Sequence, residues 1–105
     1  MVKVKVTSQQ DLILEIHVKD HAGSAVAGQD LVCAGVSSIC FGALNALNEL
    51  CVNAFAYEIK EANVKIIVKD LKCETAQTIL KTIYIQLLTM AESYGKFIKL
   101  TKVEV

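Results

Sequence analysis

Val2-Lys3-Val4-Lys5-Val6-Thr7 and, after four polar residues, Leu12-Ile13-Leu14-Glu15-Ile16-His17-Val18-Lys19 open the chain with two alternating stretches. In the first, Val2, Val4 and Val6 alternate with Lys3, Lys5 and Thr7. In the second, Leu12, Leu14, Ile16 and Val18 alternate with Ile13, Glu15, His17 and Lys19. A period of two lines one face of a strand with apolar side chains, so both stretches predict half-buried strands. Ser8-Gln9-Gln10-Asp11 between them predicts a hairpin turn.

Working outward, periodicity breaks from Asp20 to Gln29, where Gly23, Ser24 and Gly28 predict a loop. From Asp30 to about Asn53 it changes to helical steps, with Val32, Val36, Ile39, Ala43, Leu47 and Leu50 on one face. Phe55, Tyr57 and Ile59 restore alternation, Glu61-Ala62-Asn63 turns the chain, and Val64, Ile66 and Val68 form a fourth strand. A second helix is predicted from about Glu74 to Ser93, with Ala76, Ile79, Leu80, Ile83, Leu87, Met90 and Tyr94 facing the core. Gly95 is the expected helix stop, and Lys96 to Val105 the last strand. The order β-β-α-β-β-α-β predicts a single α+β sandwich domain over residues 1–105, its sheet antiparallel or mixed, with both helices on one face.

Composition narrows the function. Hydrophobic residues make up 53% and charged residues 21%, a foldable globular balance. Eleven basic residues offset eleven acidic ones, all the basic ones lysine. A nucleic-acid binder ordinarily carries a cationic surplus, and arginine is the residue suited to bidentate phosphate contact, so no direct nucleic-acid partner is expected. No apolar run is read as approaching the roughly 18–20 residues that span a bilayer. The alternating N-terminus is not the apolar core of a signal peptide, so a cytoplasmic, membrane-free protein is expected. Cys33, Cys40, Cys51 and Cys73 form no Cys-x-x-Cys pair, and in a reducing compartment each is by default a small buried residue.

One stretch carries chemistry: His21-Ala22-Gly23-Ser24-Ala25-Val26-Ala27-Gly28-Gln29-Asp30-Leu31-Val32-Cys33-Ala34-Gly35-Val36-Ser37. A helix N-terminus favours a thiolate, through its unpaired N–H groups and the macrodipole. With Asp30 as N-cap, Cys33 falls in the first turn. His21 stands at the end of a strand whose loop returns to that helix, an order that predicts its ring can reach the sulfur. Such a Cys–His pair is the minimal machinery of nucleophilic acyl transfer. His17, between Glu15 and Lys19, reads as a solvated strand residue. Cys33, Cys40 and His21 are too few ligands for a metal site, and neither metal nor cofactor is expected. Ser37, one turn beyond Cys33, either supports the site or simply packs. Asp30 is either a cap alone or a cap that also orients His21. Two rival classes are a non-catalytic peptide-binding module and a thiol redox protein, the latter weakened by the missing Cys-x-x-Cys pair.

The stretch resembles the ribosomal-processing cysteine protease family of bacteria. His21-Ala22-Gly23 matches the family's His-Ala-(Gly) step. Gly28-Gln29-Asp30-Leu31-Val32-Cys33-Ala34-Gly35-Val36-Ser37 matches its Gly-x-Asp-x-Val-Cys-Ala-x-Val-Ser block, and Tyr94-Gly95-Lys96-Phe97-Ile98 resembles its C-terminal ending. Asp20 stands where the family commonly has Gly, and Gly95 where it has Pro. The resemblance implies a cysteine endopeptidase with Cys33 as nucleophile and His21 as base, and Asp30 and Ser37 in support. The loop bearing Ala22, Gly23 and Gly28 would close over the peptide. The implied substrate is the short N-terminal extension of the twenty-seventh large-subunit ribosomal protein, cut after an aromatic residue and before a small one. The resemblance also points to a homodimer, as does the second helix, where Tyr84, Ile85 and Leu88 widen the apolar face beyond what so small a domain buries.

Overall fold

A computed structural model describes residues 1–19 and 29–105. The elements follow the predicted order: β1 (Val2–Gln9), β2 (Leu12–Lys19), α1 (Gln29–Leu50), β3 (Phe55–Lys60), β4 (Asn63–Val68), α2 (Glu74–Ser93) and β5 (Ile98–Glu104). The five strands form one mixed sheet in the order β3-β4-β2-β1-β5. β1 pairs antiparallel with β2 and parallel with β5, and β4 lies antiparallel to both β2 and β3.

Period-two patterning decides which face is covered. Val2, Val4 and Val6 of β1, Val64 and Ile66 of β4 and Ile98 of β5 point inward. They meet Val32, Val36, Cys40, Ala43 and Leu47 of α1 and Leu80, Ile83 and Leu87 of α2 in one core. Both helices thus lie on one face of the sheet, the α+β sandwich that the element order predicts. The opposite face, where Lys3, Lys5, Lys19 and Lys99 alternate with the core residues, is open.

Three details differ from the sequence reading. In β2, Ile13 is buried, whereas Leu12 and Leu14 are half-buried. The register runs Thr7↔Glu15 and then Ser8↔Ile13, so Leu14 is an extra residue at a bulge. Since side chains alternate, one inserted residue reverses which of them face inward beyond it. In α1, Cys40 is more deeply buried than Ile39, and Leu50 is 66% exposed where the helix ends. Gly95 takes no left-handed conformation. α2 instead stops at Tyr94, whose N–H donates to Met90 O at 2.8 Å.

One expectation is corrected. Leu31–Leu50, with mean hydropathy 1.6, is long and apolar enough by length and composition to cross a membrane. Its apolarity has a second use here, since its Val32, Val36, Cys40, Ala43, Leu44 and Leu47 side chains are core residues of the sandwich.

Candidate active site

The helix that carries Cys33 begins at Gln29, one residue before the expected cap, so Asp30 lies within the first turn by its backbone. An acidic residue there remains favourable to the helix dipole. Cys33 is the fifth helical residue, half-buried, and packs on the edge of the core. Ser37, four residues on, is also half-buried. His21, Ala22, Gly23 and Gly28 lie outside the described residues, as does the side chain of Asp30.

The surroundings of Cys33 show why small residues follow it. At Gly35, a Cβ would stand 2.9 Å from the terminal methyl of Met90. α2 therefore packs closely on α1 two residues past the thiol. Leu31, two residues before it, is 73% exposed. A large apolar side chain bare to water beside a candidate nucleophile is a feature that periodicity does not flag, because Leu31 falls off the helix's core face.

The other thiols have different environments. Cys40 is buried in the core, and that burial pushes its thiol up to about 11. The Cys51 thiol, just past the end of α1, neighbours that of Cys73 at the start of α2. Burial first, and then the neighbouring Cys73, raise the Cys51 thiol above its ordinary value. This thiol pair was not legible in the sequence, where the two residues stand far apart and both read as structural. No disulfide links the four cysteines, and among the described residues no group of three His, Cys, Asp or Glu side chains is placed to hold a metal.

His17 is excluded as a partner of Cys33. It alternates with the inward-facing Ile16 and Val18, so its ring lies on the open face of the sheet, away from α1. Its Nε2 is engaged by Oδ1 of Asn63. A shallow recess of about 380 Å³ on that open face is lined by Lys3, Lys5, His17, Lys19, Lys99 and Thr101, and does not include Cys33.

Comparison with known proteins agrees with this architecture. Residues 1–99 match the family model described as cysteine protease Prp. The ribosomal processing cysteine protease Prp of Staphylococcus aureus (strain Mu50) is 30% identical over 103 residues, covering 95% of this chain and 97% of that one. The crystal structure of the essential ribosomal processing protease Prp from S. aureus with a substrate peptide superposes with a TM-score of 0.91 at 28% identity, over 97% of this chain and 99% of that one. A second crystal structure of that protein, with a covalently linked product peptide, gives a TM-score of 0.87 at 28% identity over the same shares. A family model spanning nearly the whole sequence, a relative alike from end to end and a shared β-β-α-β-β-α-β sandwich lead to one conclusion: the chain belongs to the cysteine protease Prp family.

Proposed function

We propose that the protein is the endopeptidase that removes the short N-terminal extension of a large-subunit ribosomal protein, with Cys33 as nucleophile and His21 as general base. The observation that carries this reading is the sorting of the thiols and imidazoles. Cys40 is in the core, and Cys51 and Cys73 lie side by side as free thiols, whereas Cys33 lies in the opening turns of α1 within the family motif. The chain has two histidines, and His17 is held on the far side of the sheet. The S. aureus relative carrying a covalently linked product peptide supports chemistry through a covalent intermediate.

The steps follow from these roles. His21 takes the Cys33 proton as the sulfur attacks the scissile carbonyl carbon, giving a tetrahedral oxyanion. N–H groups of Gln29, Asp30 and Leu31, which as first-turn residues have no partner within the helix, are suited to receive that oxygen. Collapse expels the amine, which takes the proton from His21, and leaves a thioester on Cys33. Water, deprotonated by His21, hydrolyses the thioester, releasing the carboxylate and restoring the thiol. Exposed Leu31 offers an apolar contact to the aromatic residue before the cut, and Ala22, Gly23 and Gly28 are assigned to substrate contact. Asp30 and Ser37 support the site without touching the reacting atoms.

We further place the enzyme in the cytoplasm, where ribosomal proteins are made, and propose that it works as a homodimer. Ile85 is 58% exposed on α2, while Lys102 lies 5.1 Å over the ring of Tyr84 and shields part of that face. A broader apolar patch joins α1 to the edge strand. Phe41, Tyr57 and Ile59 are 42%, 57% and 48% exposed around a recess that also reaches Leu44 and Phe55. The test of the catalytic reading is incubation with the extended ribosomal protein, read by mass. Wild type should give one product lacking the extension, and Cys33→Ala or His21→Ala should reduce the rate at least about a thousandfold. Cleavage at wild-type rate by either variant would overturn the assignment.

A further inference from the structure

We infer that the open face of the sheet is a docking surface for the phosphate backbone of RNA. The strand register carries the inference. Lys60 of β3 stands opposite Asn63 of β4, Asn63 opposite Lys19 of β2, Lys19 opposite Lys3 of β1, and Lys3 opposite Lys99 of β5. One row thus crosses all five strands with four lysines, one asparagine and no carboxylate. All four lysines are exposed. At about 4.8 Å per strand the row is roughly 19 Å long.

The next row holds Lys65, His17 and Lys5. Its Lys65 lies 4.0 Å from Glu58. Among the described residues, Glu58 and Glu15 are the acidic residues of this face, and both lie outside the first row. The described residues of the face, six lysines and two glutamates, sum to +4, so in a chain of zero formal charge the rest of the sequence carries −4. The expectation of no nucleic-acid partner rested on the total, and folding separates what the total cancels.

Like charges directly opposite across strands are destabilising. A polyanion that neutralises the row relieves that repulsion, whichever further contact Lys3 makes. Among the described residues no Phe, Tyr or Trp projects from this face to stack on bases, and the His17 ring is engaged by Asn63. The contact is therefore with phosphates and independent of base sequence. The row also lies where β2 ends at Lys19, two residues before His21. This inference rests on the proposed substrate, because a ribosomal protein is met beside RNA. An RNA-holding sheet would keep the enzyme near its substrate without occupying the peptide site.

The test measures binding of a labelled RNA hairpin of mixed sequence to the intact protein at several salt concentrations. Lys60→Glu/Lys99→Glu is compared with Lys72→Glu/Lys81→Glu, which makes the same change in net charge away from this face. Wild type is expected to bind with an affinity that falls steeply as salt rises. The open-face variant should bind at least about tenfold more weakly and reduce the slope of log affinity against log salt by about 2, whereas the control variant should change binding by less than about threefold. Thermal unfolding of both variants confirms that they are folded. Absence of binding by wild type in dilute salt, equal weakening by both variants, or equal affinity for polyglutamate would overturn the inference. Cleavage of the free extension peptide by wild type, assayed without RNA, reports on the protease reading separately.

Discussion

The side-chain amide of Gln77 is joined to the main chain of Ile13 on both sides: Oε1 accepts from the Ile13 N–H at 2.8 Å and Nε2 donates to its C=O at 2.9 Å. Gln77 is 5% exposed on the core face of α2, and Ile13 lies beside the bulge, beyond the end of the β2–β4 pairing at Glu15↔Ile67. The amide supplies at one residue the donor and acceptor that a neighbouring strand would otherwise provide. A buried helix glutamine is thus part of the sheet's hydrogen bonding.

Gln77→Leu removes both partners while leaving the Ile13 groups buried. We expect it to cost about 2–4 kcal/mol, the penalty of two unsatisfied buried main-chain groups. Urea unfolding measures it, and a loss below about 0.5 kcal/mol would show that the site rearranges without strain.

Two α1 glycines should respond in opposite ways. A Cβ on Gly42 would meet nothing within 4 Å, so Gly42→Ala should stabilise by about 0.5–1 kcal/mol through helix propensity. At Gly35 the same methyl displaces the end of Met90, and the gain is expected to vanish. Thermal unfolding of the two variants side by side checks the contrast.

Mass-resolved alkylation with iodoacetamide from pH 6 to 9 should label Cys33 ahead of the other thiols. Cys40, buried and pushed up to about 11, should be the slowest. At pH 8 a thiol of that value is only about one part in a thousand thiolate, even before steric exclusion. Labelling of Cys40 at a rate comparable to Cys33 would contradict the placement of both.

Glu104 gives a pH dependence of known sign. Its carboxylate accepts from the Ser8 hydroxyl at 2.8 Å and the Gln10 N–H at 2.7 Å, which hold it below the ordinary carboxylate value. A depressed folded value means stabilisation present above the unfolded value of about 4.3 and lost as pH falls through the folded one. Wild type should therefore exceed Glu104→Gln in melting temperature near neutrality, and the two should converge in acid. A difference independent of pH between 2 and 7 would remove the carboxylate from the explanation.

Sedimentation tests the dimer. Wild type is expected to sediment as a dimer at micromolar concentration, and Tyr57→Lys/Ile59→Lys as a monomer. Phe55 and Tyr57 stack with centroids 6.1 Å apart, so the double variant alters the outer end of that cluster and leaves buried Phe55 in place. A wild type that stays monomeric would leave the apolar patch to another partner.

The fold was largely legible because each element announces its own period. β3 and α2 fall on the predicted residues, and α1 begins within one residue of its predicted start. The misreadings come from terms a single segment does not contain. The bulge at Leu14 depends on the register with β1, and the burial of Gln77 depends on Ile13's need for a hydrogen-bonding partner. The Cys51–Cys73 pair needs two helix ends brought together. At the candidate site, the motif places Cys33 and Ser37 on α1, while His21 lies outside the described residues. The lysine row was present as simple alternation, but its continuity across strands emerges only once β5 is set parallel beside β1.

That parallel pairing also governs the order of assembly. Val2 is matched with Ile98 and Ser8 with Glu104, and Ser8 Oγ bonds a carboxylate 96 residues away. The β1–β2 hairpin can form early from local contacts, but one edge of β1 stays unpaired until β5 arrives. Closing a loop of that length costs on the order of 4 kcal/mol in chain entropy, counting the length-dependent part alone. β5 therefore covers the open edge of β1 and becomes an edge strand itself, and until it docks β1 stays exposed as a template for foreign strands.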